Sequence, residues 1–288
     1  MSGTLFVVAT PIGNLEDITA RALRVLREVA LIAAEDTRRT AKLLAKFAIP
    51  TPTTSLHEHN EAAKTAALLA RLQAGESLAL VSDAGTPVIS DPGRLLVRQA
   101  IEHGITVESV PGPSAVMAAL AASGFASDTF TFLGFPPTRS SARRGWFKRA
   151  RTSGGTVVFF EAPHRIRSTL KEFGELTNVE AVAVWREMTK LHQELVYGPI
   201  NSVLERLNDP RGEFTVVANI GLMTKLGAPE PPPDHSIMRE FGRLTHLEGL
   251  TRRAAMAALS RKHGMKTNDV YRAIERARKL VEQQNTKP

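Results

Sequence analysis

Acidic and small residues collect where apolar runs stop. The run Leu78–Val81 ends in Ser82 and Asp83, and Gly85, Pro87, Pro92 and Gly93 then stiffen the segment VSDAGTPVISDPG (81–93). TPIGN (10–14) closes the run LFVVAT, and EDTRR (35–39) follows ALIAA. Loops of this make-up let backbone approach a ligand closely and present N–H and C=O groups along it. Asp83, and Glu161 in FFEAPHR (159–165), suit a ligand carrying ammonium, sulfonium or ribose hydroxyls better than one carrying several phosphates. Asp83 could also do no more than cap a turn.

Other chemistries lack their residues. There is no Gly-x4-Gly-Lys-Ser/Thr loop and no Gly-x-Gly-x-x-Gly after the first strand, and Pro11 has no N–H to offer a pyrophosphate. A nucleophile elbow, Gly-x-Ser-x-Gly, is missing as well. His57 and His59 flank Glu58, but no cysteine accompanies them, so HEH reads as a polar loop and no metal site is expected. S-adenosylmethionine (SAM) fits the remaining description, since it needs no nucleotide-phosphate grip.

These loops need strands and helices to hold them. Residues 5–10 read as a strand and 18–29 as an amphipathic helix with Asp17 as its N-cap. A strand follows over 30–36, then helices over 40–49 and 61–75, the second closed by Gly75. A strand over 77–82, a helix over 93–104 and a strand over 106–112 complete the first half. Such alternation predicts an α/β fold with a largely parallel sheet, whose ligands sit beyond the carboxyl ends of the strands. The second half has another rhythm. Strands are expected at 130–135, 156–163, 181–187, 193–198 and 213–221, with helices over 140–151, 165–175 and 199–207, which implies a mixed sheet. The small-residue stretch 111–128 reads as a core helix. The expected domains are 1–112, 113–224, a proline-rich linker at 225–236, and a basic helical, helix-turn-helix-like extension at 237–288.

The chain has 288 residues, a net charge of +8 and no cysteine. That excludes disulfides and thiolate chemistry and suits a cytoplasmic location. No apolar stretch is long enough for a membrane span, and the N-terminus reads as a strand, not a signal peptide. Between Ile237 and Leu280 there are eleven Lys/Arg against four Asp/Glu. A second run, TRSSARRGWFKRAR (138–151), holds six basic residues and no acid, with Trp146 and Phe147 among them. Two such runs favour nucleic-acid phosphates as partners, although either alone could be a solvated helix face.

The ordered segments TPIGNLEDIT, AAEDTR, LHEHN, LVSDAGTPVISDPG, VPGPSA, FFEAPHR, REMTK and GEFTVV resemble the tetrapyrrole-methylase fold family, in its ribosomal-RNA-methylating branch, over roughly residues 4–221. The porphyrinoid branch typically carries a GDP version of the SDAGTP segment. The resemblance implies a two-domain methyltransferase, a homodimer, with SAM folded in the interdomain cleft. It also implies, as target, the ribose 2′-hydroxyl of a decoding-region cytidine of 16S rRNA in the 30S subunit. Carried over residue by residue, the cofactor cleft would use Ile12, Gly13, Asp83, Gly85, Thr86, Ser114, Ala115, Phe160 and Phe214. Candidates on the cleft loops for proton acceptance are Asp36 and His57; Arg186 and Lys190 could stabilise the nascent alkoxide. Arg143, Arg144, Lys148 and Arg149, and on the tail Arg252, Arg253, Arg261, Lys262 and Lys266, would bind RNA phosphates. The competing expectations are a porphyrinoid C-methyltransferase and a non-enzymatic RNA-binding module.

Overall fold

The computed structural model describes residues 2–207, 211–220, 233–247, 250–263 and 267–284. The chain divides into two compact units, Met1–Gly221 and Leu222–Pro288.

The first unit holds two five-stranded sheets. In the first, β1 (Thr4–Val8), β2 (Leu31–Ala34), β3 (Thr53–Ser55), β4 (Leu78–Val81) and β5 (Thr106–Val110) run parallel in the order β3-β2-β4-β1-β5. β2 and β4 are buried along their whole length, as continuous apolar strands in a covered parallel sheet should be. Leu68, Leu69 and Leu72 of α3 (Glu61–Gln73) and Leu96 of α4 (Arg94–Glu102) pack on one face. Ala22, Val25 and Leu26 of α1 (Ala20–Glu28) and Leu44 of α2 (Thr37–Lys46) pack on the other. Each fully buried leucine contributes roughly 1.5–3 kcal/mol, so the sheet that carries the loops is firmly held.

The second sheet is mixed, in the order β6-β7-β10-β8-β9, from β6 (Phe130–Phe132), β7 (Gly155–Glu161), β8 (Val179–Arg186), β9 (Glu194–Gly198) and β10 (Phe214–Ile220). Only β6 and β7 pair parallel. Antiparallel register sets Phe214 opposite both Glu161 and Arg186, so the start of β10 lies between the ends of β7 and β8. α6 (Ser140–Ser153), α7 (Ile166–Leu176) and α8 (Ile200–Arg206) cover one face, and α5 (Ala115–Ala121) covers part of the other.

Several boundaries differ from the sequence reading. Thr19, not Asp17, caps α1, accepting from the Ala22 N–H at 3.0 Å; Asp17 belongs to a 3-10 turn over Leu15–Asp17. The strand expected at 30–36 stops at Ala34, because Asp36 caps α2, which begins three residues before the helix read at 40–49. β3 went unread: Thr53, Thr54 and Ser55 form a three-residue edge strand without an apolar pattern. The helix read across 111–128 is confined to Ala115–Ala121.

In the second unit, α9 (Asp234–Gly242) continues into a wider turn at Arg243–Leu247 and is followed by α10 (Arg252–His263) and α11 (Thr267–Gln284). Ile237, Leu259, Val270, Ala273 and Ile274 form its core, and Arg276 bridges Asp234 at 2.7 Å. α9 thus starts inside the expected linker; most of that linker (225–232) lies outside the described residues, as do Gly249 and Gly264. Among the described residues no helix is long and apolar enough to cross a membrane.

Candidate active site

The ends of the strands enclose a cavity of about 500 Å³ in the first unit, within the range that takes a cofactor. One wall is built from the loops after β1, β2 and β4. Glu35 Oε2 accepts from the Asp83 N–H at 3.2 Å, and Asp83 Oδ1 accepts from the Asp36 N–H at 3.0 Å. Arg39 approaches Asp83 Oδ2 at 3.4 Å. Asp83 therefore does more than cap its own turn: it ties two strand-end loops together. Gly85 and Thr10 exchange both backbone hydrogen bonds, at 2.9 and 3.0 Å, which closes the loop after β4 onto that after β1. Gly85 has φ +79°. Val88 and Ser90 then adopt φ +73° and +68°, a costly conformation for a β-branched residue, and one that concentrates at functional sites. Glu61 anchors the far end of this loop, its Oε1 accepting from the N–H groups of Gly93 (3.1 Å) and Leu95 (2.6 Å).

The opposite wall is more apolar. Ala115, Val116, Phe160, Met188 and Phe214 contribute to it. The Phe160 ring stands 5.1 Å from that of Phe132 and 5.4 Å from that of Phe135. Ser114 caps α5. Glu161 is 2% exposed, and both its oxygens are occupied. Oε1 accepts from the Ala162 N–H at 2.8 Å; Oε2 accepts from the Thr169 hydroxyl at 2.5 Å and from Arg165 at 3.2 Å. Glu161 holds its loop in place, and its carboxylate is not free for a ligand.

Eight of the nine expected cofactor residues line this cavity: Ile12, Asp83, Gly85, Thr86, Ser114, Ala115, Phe160 and Phe214. Gly13 does not. A Cβ there would lie 2.5 Å from Lys190 Cγ and 2.7 Å from Thr189 Oγ1, so Gly13 allows the close approach of two loops, joined also by the Asn14 N–H donating to Thr189 Oγ1 at 3.0 Å.

The four expected catalytic residues are not brought together on the cavity wall. Asp36 accepts from the Arg38 N–H and pairs with its guanidinium, both at 2.8 Å, which holds its carboxyl well below the usual carboxylate range. His57 shares Nε2 with the Asn60 amide at 3.1 Å, and its buried Nδ1 has no partner among the described residues. Arg186 meets Glu194 at 3.0 Å. Lys190 meets Glu187 at 2.9 Å and Glu213 at 3.1 Å; burial opposes its charge, but the two carboxylates outweigh it and raise the ammonium above its ordinary value.

Glu35, Arg39, Asp91, Met188 and Glu213 also line the cavity, and sequence reasoning missed them. Glu35 and Asp36 are neighbours, and only the backbone path after β2 decides which turns inward. Asp91 belongs to the acidic, glycine- and proline-rich segment 81–93, which is the signal that could have found it. Burial, then the Glu35 and Asp83 carboxylates, push its pKa up to about 6, with the neighbouring Ser82 hydroxyl acting in the other direction.

The two basic runs fare differently. On α6, Arg144, Lys148 and Arg149 are exposed, Trp146 and Phe147 are core residues, and Arg143 is held by Glu172 on α7. In the second unit Arg252 and Arg253 are exposed and Lys262 pairs with Glu240. Arg261 lies on α10, and Lys266 falls outside the described residues.

Residues 4–225 match the family model of the tetrapyrrole (corrin/porphyrin) methylases. The ribosomal RNA small subunit methyltransferase I of Synechocystis is 42% identical across 93% of this chain and 96% of its own length. The protein of the same name from Thermotoga maritima is 48% identical; 97% of its length is matched by 75% of this chain. Among solved structures, uroporphyrin III C-methyltransferase of Thermus thermophilus superposes with a TM-score of 0.55 at 19% identity, over 75% of this chain and 97% of that one, a likeness of fold.

Proposed function

Since the chain belongs to the tetrapyrrole methylase family, we propose that it is a SAM-dependent methyltransferase acting on small-subunit ribosomal RNA. The acceptor we propose is the 2′-hydroxyl of a decoding-region cytidine of 16S rRNA within the 30S subunit. The observation that carries this reading is the match, at 42% identity over nearly the whole of both chains, to a relative bearing the small-subunit rRNA methyltransferase name.

The residues present suit SAM. The cavity offers an apolar, aromatic wall for adenine, and opposite it the Glu35 and Asp83 carboxylates for the cationic end. The backbone at Gly85, with positive φ, can approach a ligand where a side chain would intrude. Ile12, Asp83, Gly85, Thr86, Ser114, Ala115, Phe160 and Phe214 would hold it. Bound there, SAM supplies a methyl group on a sulfonium, a donor that carries its own leaving group. The chain's part is then to align the acceptor oxygen, exclude water and receive a proton; positioning alone is worth several kcal/mol, up to about 7–11 in well-oriented systems. Phe135, Phe160 and Phe214 line the cavity and would help shield the donor from water. Arg144, Lys148 and Arg149 on α6, with Arg252 and Arg253 on the tail, are proposed to grip rRNA phosphates. The working form proposed is a homodimer, which light scattering would test.

The direct test is label transfer from methyl-labelled SAM to unmodified 30S subunits, naked 16S rRNA and a precorrin. Label on one cytidine ribose of the subunit is expected. Label on the precorrin would move the protein to the porphyrinoid branch, and label on none would refute the acceptor.

A further inference from the structure

We infer that Asp91 takes the proton from the acceptor hydroxyl during methyl transfer. This rests on the acceptor proposed above. Five carboxylates line the cavity, those of Glu35, Asp83, Asp91, Glu161 and Glu213. A proton acceptor needs a free lone pair facing the substrate. Glu35 is oriented by the Asp83 N–H, which its Oε2 accepts, and Asp83 by the Asp36 N–H on Oδ1 and by Arg39 at 3.4 Å from Oδ2, so both hold the strand-end loops together. Glu161 is saturated by Ala162, Thr169 and Arg165, and Glu213 is paired with Lys190. Asp91 pairs with no cation among the described residues, and the neighbouring Ser82 hydroxyl donates to the Ala84 carbonyl at 3.4 Å. The loop that presents it passes through two residues at positive φ, Val88 and Ser90, and is pinned just beyond Asp91, where Glu61 accepts from the Gly93 and Leu95 N–H groups.

The charges around it suit the task. Glu35 from the loop after β2 and Asp83 from the loop after β4 repel its charge; Arg39 of α2 is engaged with Asp83; Glu161 and Glu213 stand on the cavity's other elements. A sulfonium donor beside Asp91 favours its ionised, proton-accepting form. Once the sulfur is neutral that support vanishes, and Glu35 and Asp83 again favour the protonated acid. The balance closes. The acceptor oxygen bonds to the methyl carbon as the sulfur–carbon bond breaks, its proton passes to an Asp91 carboxylate oxygen, and S-adenosylhomocysteine leaves with the bond pair. Asp91 then returns the proton to solvent.

The test compares wild type with Asp91→Asn on unmodified 30S subunits, alongside SAM binding followed by titration calorimetry near pH 6 in buffers of different ionisation heat. Wild type should show kcat/KM rising through an acid limb near pH 6. Its SAM binding should release a fraction of a proton, and binding of S-adenosylhomocysteine should not. Asp91→Asn should bind SAM without that release and lose about 100-fold or more in kcat with KM little changed. An Asp91→Asn enzyme with wild-type kcat, one that no longer binds SAM, or a wild type without proton release or acid limb would each overturn the inference. The wild-type measurements decide it even where the variant fails to fold. A wild type that labels no ribosomal RNA removes the acceptor itself, and the wild-type control identifies that failure as one of the proposed function.

Discussion

A carboxyl whose proton is held more tightly in the folded chain than in the unfolded one stabilises the fold below its unfolded pKa and ceases to as pH rises through the folded value. Asp91 is such a group, raised from 3.8 to about 6. Asp91→Asn is therefore expected to be more stable than wild type at pH 8, by about 1 kcal/mol once the partial exposure of the site is allowed for, with the advantage gone by about pH 4. Urea denaturation at the two pH values would check it. A residue that stabilises when removed is what a functional constraint looks like in a marginally stable fold. Gly93 carries a purely steric constraint: φ is +113°, and a Cβ would lie 2.5 Å from Leu80 Cδ2. Gly93→Ala should lower stability by roughly 1–3 kcal/mol, seen as a fall in Tm. The glycines and the acids of this segment were legible as a ligand loop. Which acid is engaged was not, because that depends on partners contributed by α2 and the loop after β2.

Elements show how such loops are held. α4 begins at a glycine with no side chain to cap it, and Glu61 of α3 caps it from 32 residues away. Glu61→Ala should cost about 1–2 kcal/mol and weaken SAM binding by loosening the loop that ends at Gly93, whereas Glu61→Gln should retain part of both. Calorimetry and thermal melts would read the two effects separately. α6 is a basic helix with an apolar seam. Its Trp146 and Phe147 are buried, and its Arg143 is spent on Glu172, which leaves Arg144, Lys148 and Arg149 in solvent. Reversing those three to Glu should weaken rRNA binding and flatten its salt dependence by roughly 0.7–0.9 log unit for each phosphate no longer neutralised, with SAM affinity unchanged. Reversing Arg143 should instead lower Tm. The run's charge was readable in the sequence; its periodicity against the second sheet decided which cations remain available.

For the whole molecule, the cavity exists because loops from a parallel sheet and the strand ends of a mixed one meet within a single unit. The helical unit beyond residue 221 has its own small core. A chain ending at residue 225 should bind SAM as the full chain does and bind 30S subunits about tenfold or more weakly at physiological salt, which filter binding would measure. Equal affinity of both chains would assign the tail another task.

The sequence by itself determined what short-range chemistry determines: the alternation of strands and helices, the glycine- and proline-stiffened loops at strand ends, and the residue types suited to a sulfonium donor. Eight of the nine residues assigned to the cofactor line one cavity, six of them on segments that follow strands of the parallel sheet and two, Phe160 and Phe214, on adjoining ends of β7 and β10. Tertiary structure alone decided the rest. Asp36 is spent on Arg38, Lys190 on Glu187 and Glu213, and Arg186 meets Glu194, whereas Asp91 pairs with no cation among the described residues. A side chain's proton affinity and availability are set by groups that arrive from distant parts of the chain, and spacing along the sequence does not encode that.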